Sequence, residues 1–153
     1  MHETRTDVWS CGGGTQSAAI AALIVQGRLR RPDVCLMVDT GREKSGTWEY
    51  MEAVLQPAMK GIGLEVIIVQ KSEFATVDLW STTENHILLP GFTNTSGVKG
   101  KLQGLCSNEW KKRVVQRKCR ALGLTAVLNW IGISVDEMGR VRQSTELWFQ
   151  NHY

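Results

Sequence analysis

Short apolar runs closed by polar or glycine-containing turns alternate along the chain with stretches whose apolar residues recur at helical spacing. Thr6 to Ser10 (TDVWS) reads as a short strand that runs into Cys11-Gly12-Gly13-Gly14-Thr15-Gln16. The small, apolar stretch Ser17 to Val25 then reads as a helix with Gly27 near its end. Asp33 to Val38 (DVCLMV) is a continuous apolar run between Pro32 and Asp39-Thr40-Gly41, as expected of a strand buried on both faces. From Thr47 to Lys60, Trp48, Met51, Val54 (or Leu55) and Ala58 recur at helical spacing, with Pro57 placed to kink the last turn. Leu64 to Val69 and Ala126 to Ile133 read as a third and a fourth strand.

Between these last two lies Lys71 to Leu105, with little periodicity from residue 81 to 104, which predicts an irregular loop or lid. Asn108 to Leu122 reads as a basic amphipathic helix. Trp110, Val114, Val115, Cys119 and Leu122 form its apolar stripe, and Arg113, Arg117 and Arg120 lie opposite. Strands alternating with helices predict an α/β fold, a Rossmann-like (HUP-type) parallel sheet with helices on both faces. A chain of 153 residues fits one domain, 1–153, and is short for two domains and a linker.

Composition narrows the classes. Hydrophobic residues at 42% and charged residues at 22% exclude a disordered or collagen-like chain. No apolar run approaches the roughly 20 residues of a membrane span, and no signal-like N-terminus is visible, so the expectation is a cytoplasmic protein with no membrane partner. Cys11, Cys35, Cys106 and Cys119 are scattered without a CxxC pair, and His2, His86 and His152 lack ligand spacing, so no transition-metal site is expected. A net charge of +3 is too small to imply nucleic-acid binding by bulk electrostatics, although six cations between Lys111 and Arg120 leave a nucleic-acid strand as a weak alternative to a solvated helix face. Six tryptophans fit either core positions or a homo-oligomeric contact.

The glycine loop carries the chemistry. A strand that delivers Gly12, Gly13 and Gly14 to a helix N-terminus leaves backbone N–H groups unobstructed at the positive end of a helix dipole, with Thr15 and Ser17 hydroxyls beside them. Such a turn suits phosphate; the alternative is a turn that needs glycine for its backbone angles alone. No lysine lies between Gly12 and Val25, which excludes the Walker loop. Gly12-x-Gly14-x-x-Ser17 departs from the dinucleotide fingerprint only at its last position. With Asp39 at the end of the second strand, that pattern keeps an NAD(P)-binding domain as one reading.

Cys11-Gly12-Gly13-Gly14-Thr15-Gln16-Ser17 resembles the SGGxDS pyrophosphate loop of the adenine nucleotide alpha-hydrolase (PP-loop ATP pyrophosphatase) superfamily. Asp39-Thr40-Gly41 resembles the DTG of its phosphoadenosine phosphosulfate reductase-like branch. Cys106-Ser107-Asn108-Glu109-Trp110-Lys111 is similar to the cysteine–lysine block opening a late helix of that branch. Gly132-Ile133-Ser134-Val135-Asp136-Glu137, followed by Arg140, Arg142, Ser144 and Trp148, is similar to a segment of a reductase-like subgroup found in bacterial and phage genomes.

The resemblance implies phosphates on Gly12 to Ser17, adenine against the backbone of Met37 and Val38, and Lys111, Arg140 and Arg142 as anion contacts. ATP or a related adenine nucleotide is the implied ligand, with magnesium and without an iron–sulfur cluster. Gly12 stands where the motif has serine and Gln16 where it has aspartate, and Gln16 cannot give magnesium a negative ligand. Cys106 is a candidate nucleophile or sulfur carrier, with a structural thiol as the alternative. The chain stops at an aromatic segment, Trp148 to Tyr153, that in similar proteins continues into a further helix. Asp39 is open to ribose contact, metal ligation or turn capping, and Glu43 follows it. Asp136 and Glu137 are open to capping a short helix. The readings are an enzyme acting at the α-phosphate of ATP or on a sulfonucleotide with an unknown acceptor, a catalytically weak nucleotide sensor, and the dinucleotide domain.

Overall fold

The computed structural model describes residues 4–74, 92–95, 97–101 and 108–153. Five strands, β1 (Thr6–Ser10), β2 (Val34–Asp39), β3 (Val66–Gln70), β6 (Val127–Ile131) and β7 (Phe149–His152), form one sheet in the order β3-β2-β1-β6-β7. All four of its strand pairs are parallel. The predicted α/β Rossmann-like sheet is therefore present. It also contains β7, which the sequence reading does not foresee in the aromatic ending. Part of the irregular stretch is a separate antiparallel hairpin, β4 (Phe92–Thr95) with β5 (Val98–Lys101), turning at Gly97 with φ +81°. Residues 75–91, 96 and 102–105 of that stretch lie outside the described residues.

Alternate residues of each inner strand enter different cores, because successive side chains of a strand point to opposite faces. On one face Trp9, Cys35, Met37 and Trp130 pack against Ala21 and Ile24 of α1 (Thr15–Val25) and against Met51, Leu55 and Met59. On the other, Val8, Leu36, Val38, Val69, Val127 and Phe149 pack against Val114, Val115 and Cys119 of α4 (Arg113–Ala121). Helices thus cover both faces, as a parallel sheet requires. Among the described residues no helix is long and apolar enough to cross a membrane.

The helix following β2 runs as α2 (Ser45–Tyr50), a π-helical turn (Met51–Leu55) and α3 (Gln56–Gly61). Its cause is Pro57, which has no N–H to give the carbonyl four residues back and whose ring crowds that carbonyl; widening the preceding turn accommodates both. The wider turn also decides which residue faces inward. Leu55 is buried at 1% exposure while Val54 stands 48% exposed. The late basic helix likewise opens with a π turn (Asn108–Lys112) before α4. Trp110, Val114, Val115 and Cys119 are buried as the stripe predicts, but Leu122 is 43% exposed because it lies beyond the last residue of α4, at the C-cap. Trp9, Trp110 and Trp130 are core residues.

Truncating these two neighbours separates the effects of position and chemistry. Leu55→Ala should lower unfolding free energy by about 2–5 kcal/mol in urea titrations, whereas Val54→Ala should stay within about 0.5 kcal/mol of the parent. Equal losses would contradict the π-turn register.

Candidate functional site

β1 is the strand from which the sheet grows both ways. The chain leaves it through α1 to β2 and β3 on one side, and later returns to its other edge with β6 and β7. Connections diverging from neighbouring strands leave a crevice at their carboxyl ends, and open parallel sheets bind ligands there. A cavity of about 480 Å³ occupies this place. Ser10, Cys11 and Gly12 line it from the end of β1, Leu36 and Val38 from β2, Gly132 and Ile133 from the turn after β6, and Phe149 and Asn151 from β7. Lys111 and Lys112, at the start of the late helix, and Arg140 and Arg142 complete the wall.

The glycine loop turns sharply at Gly13, whose φ is +69°. A Cβ there would stand 2.8 Å from Thr47 Cγ2 and 3.0 Å from Met37 Cε, so both backbone angle and available space call for glycine. The Gly12 N–H donates to Ser17 Oγ at 2.8 Å and closes the loop onto the first turn of α1. That helix starts at Gly14 without a side-chain cap and without an acidic residue in its first turn. The N–H groups of Gly14, Thr15, Gln16 and Ser17 take no partner among the described residues, and the first bond of the helix is Ala18 N–H to the Gly14 carbonyl. Unpaired amides at a helix N-terminus form a positive rim.

The turn after β6 is pressed against this rim. A Cβ on Gly132 would stand 2.9 Å from Gln16 Cβ. Gln16 Nε2 donates to Glu137 Oε2 at 3.2 Å, Ser134 Oγ donates to the same oxygen at 3.3 Å, and Arg140 pairs with Glu137 Oε1. Glu137 belongs to a 3-10 turn, Val135–Arg140, which takes no side-chain cap. On the opposite side Lys111 Nζ pairs with Glu43 Oε1 at 3.1 Å. The neighbouring Trp110 is buried beneath the Lys71 ammonium, 3.9 Å from its ring centroid.

The remaining expected residues fall in varied places. Asp39 caps its own turn: Oδ1 accepts the Gly41 N–H at 2.7 Å and Oδ2 accepts Gln70 Nε2 at 3.1 Å, with Gly41 at φ +69° and Thr40 buried beside it. Met37 points into the α1 core and Val38 into the cavity wall. The Arg142 guanidinium donates to the carbonyls of Gly139 and Val141, each at 2.8 Å, while its main chain exchanges hydrogen bonds with the Tyr153 hydroxyl. Cys106 lies outside the described residues.

Two features had no place in the sequence reading. Ser10 Oγ donates to Asn129 Oδ1 at 2.6 Å, Asn129 Nδ2 to Asn151 Oδ1 at 3.4 Å, and Asn151 Nδ2 to the Tyr153 hydroxyl at 3.3 Å. This polar strip and the apolar side chains of Leu36, Val38, Val115 and Phe149 line the same cavity. The visible signal was Asn129 itself, a lone amide within an apolar strand. The second feature is a pair of buried thiols on adjacent strands, Cys11 and Cys35. Contact with the Cys35 thiol, aided by the Gly13 N–H and the Ser17 hydroxyl, outweighs burial and lowers Cys11 to about 7. Cys35 is raised correspondingly, by its bond to Cys11 and by burial, and burial alone pushes Cys119 up to about 12.

Comparison of the chain with family models, with curated proteins and with solved structures finds no match. The functional reading accordingly rests on the site.

The thiolate absorbs in the ultraviolet where the thiol does not, so absorbance reports ionisation of a buried cysteine. In the folded protein the thiolate absorbance that is lost in a Cys11→Ser variant should rise with a midpoint near pH 7, while Cys35 and Cys119 stay protonated there. A Cys11 midpoint in the ordinary thiol range would contradict the contacts assigned to it.

Proposed function

We propose that the cavity binds an adenine nucleotide, phosphates on the rim from Gly12 to Ser17, and that the protein acts at the α-phosphate of ATP with release of pyrophosphate, or on a sulfonucleotide. The observation that carries the reading is a cavity lined by Gly12 of the glycine loop, by two cations from separate elements, Lys111 and Arg140, and by the apolar side chains of Leu36, Val38, Val115 and Phe149, with the uncapped N-terminus of α1 following directly on that loop. Polyphosphate and an aromatic base are the two halves of a nucleotide, and this cavity offers a matching surface to each.

Attack on the α-phosphorus by an acceptor hydroxyl, amine or other nucleophile breaks the bond to the bridging oxygen, and negative charge grows on the departing pyrophosphate. Amides and cations aimed at that charge stabilise it without reorganising. Here the first-turn amides of α1 hold the leaving group, and Lys111 and Arg140 approach it from opposite rims. No protein nucleophile is required. Magnesium, when bound with the nucleotide, supplies further neutralisation of the phosphates. Among the described residues no three His, Cys, Asp or Glu side chains cluster, so the ion would enter with the nucleotide, on its phosphate oxygens and water, rather than occupy a cage of side chains.

A thermal-shift panel tests the ligand class, because a ligand that binds only the folded state raises the melting midpoint. ATP with magnesium, or phosphoadenosine phosphosulfate, should raise it and nicotinamide dinucleotide should not. Lys111→Ala and Arg140→Ala should each weaken nucleotide affinity about tenfold, the loss of one charge-assisted contact. Pyrophosphate release from ATP then separates an enzyme from a sensor that binds without turnover; a panel without any nucleotide response would overturn the proposal.

A further inference from the structure

Two nucleophiles have no part in the nucleotide reading. Cys11 stands one residue beyond β1, and Cys35 belongs to β2, its parallel neighbour. Trp9 is the register partner of Cys35, and the ladder runs on past Ser10, where the Cys11 N–H donates to the Leu36 carbonyl at 2.9 Å. Residues two apart along a strand share a face, so Trp9, Cys11 and Cys35 enter the same core, on the α1 side of the sheet. There the Cys35 thiol hydrogen-bonds to the Cys11 sulfur. The glycine loop supplies the remaining donors, the Gly13 N–H and the Ser17 hydroxyl. Neither cysteine is in a disulfide.

The pair is asymmetric in access as well as in charge. Cys11 is one of the residues lining the cavity and keeps 4% of its surface exposed, whereas Cys35 is enclosed completely. Three donors favour the nucleophilic form of the Cys11 sulfur, while Cys35 stays protonated. A reagent must therefore be small and arrive at Cys11. Hydrogen peroxide is scarcely larger than water, and a thiolate in contact with a second thiol converts peroxide attack into a disulfide rather than into higher oxides. Cys119 cannot take the second role, because it lies in the core on the other face of the sheet.

We propose that Cys11 and Cys35 are a peroxide-reactive pair, Cys11 the attacking sulfur and Cys35 the resolving one. Cys11 attacks one peroxide oxygen. An S–O bond forms, the O–O bond breaks, and hydroxide leaves to recover the proton that Cys11 gave up on ionising. The Cys35 sulfur then displaces the oxygen from Cys11, the S–S bond forms, and the Cys35 proton departs with the displaced hydroxyl as water. Two electrons pass from the thiols to peroxide, which ends as two molecules of water. The disulfide ties the base of the glycine loop to β2 and replaces a charged acceptor beside Gly13 and Ser17 with a neutral one. The inference stands whether or not the cavity takes a nucleotide.

Peptide mass spectrometry of the full chain tests it, after brief exposure to hydrogen peroxide at neutral pH, removal of peroxide by catalase, and blocking of the remaining thiols with iodoacetamide in denaturant without reductant. The parent should yield a cross-linked Cys11–Cys35 peptide that dithiothreitol separates, formed at least about tenfold faster than any oxidation of Cys119. In Cys35→Ser, Cys11 has no resolving partner and should gain about two or three oxygens. In Cys11→Ser, Cys35 should remain a free thiol. Melting curves check that both variants are folded, and the parent result needs neither. Oxidation of Met138, 59% exposed, verifies the dose. A parent in which Met138 is oxidised while Cys11 and Cys35 both stay alkylatable would overturn the proposal. So would a disulfide joining either one to Cys106 or Cys119, or Cys35 oxidation undiminished in Cys11→Ser.

Discussion

The close approach of backbone to side chain at Gly13 governs the rest of the structure. There β1 must stop, the chain must reverse, and α1 must start within a few residues, while Thr47 from α2 and Met37 from β2 close over the turn. A residue with a side chain meets a left-handed backbone angle and two neighbours at once. Because the turn is this tight, the first amides of α1 emerge over the carboxyl ends of the central strands. Gly132 performs the complementary task after β6, letting the second half of the chain lie against Gln16. Two positions without side chains thus bring together elements from opposite ends of the sequence.

Electrostatics at the cavity follows from that closeness. The α1 N-terminus, Lys111, Lys112, Arg140 and Arg142 concentrate positive potential at one end of a sheet whose chain carries a net charge of only +3. The excess is tempered locally by Glu43 and Glu137, each fixed in geometry by its partner. Such pairs near solvent contribute little to stability. The ionised form of Cys11 adds a further negative centre beneath the loop, stabilised by some of the same groups that surround the anion rim.

Much of this was legible in the sequence. Four of the sheet strands, the glycine loop, α1 and the basic helix announce themselves through apolar runs, glycine placement and helical spacing, which are local properties. What escaped is non-local or subtle by a single residue. The choice between Val54 and Leu55 depends on a widened turn upstream of Pro57, which an ideal helical wheel does not contain. β7 is short, and its burial pattern exists only because β6 lies beside it. Turn capping was among the readings open for Asp39, but its second contact, to Gln70 of another strand, has no local signal. The contact between Gln16 and Glu137 joins residues on either side of the domain, and no spacing rule relates them. Asn129, polar within an apolar run, offered a signal that the reading passed over, and the hydrogen-bonded strip across β1, β6 and β7 accounts for it.

The position of β1 also shapes how the molecule is made. One of its flanks is filled early, by β2, while the other waits for β6, which the ribosome delivers only after β2, β3 and the basic helix have emerged. Until then the nascent protein presents an open row of strand amides and carbonyls, a template that other chains can occupy. Completion of the sheet, and assembly of the cavity wall with it, therefore waits for β6 and β7.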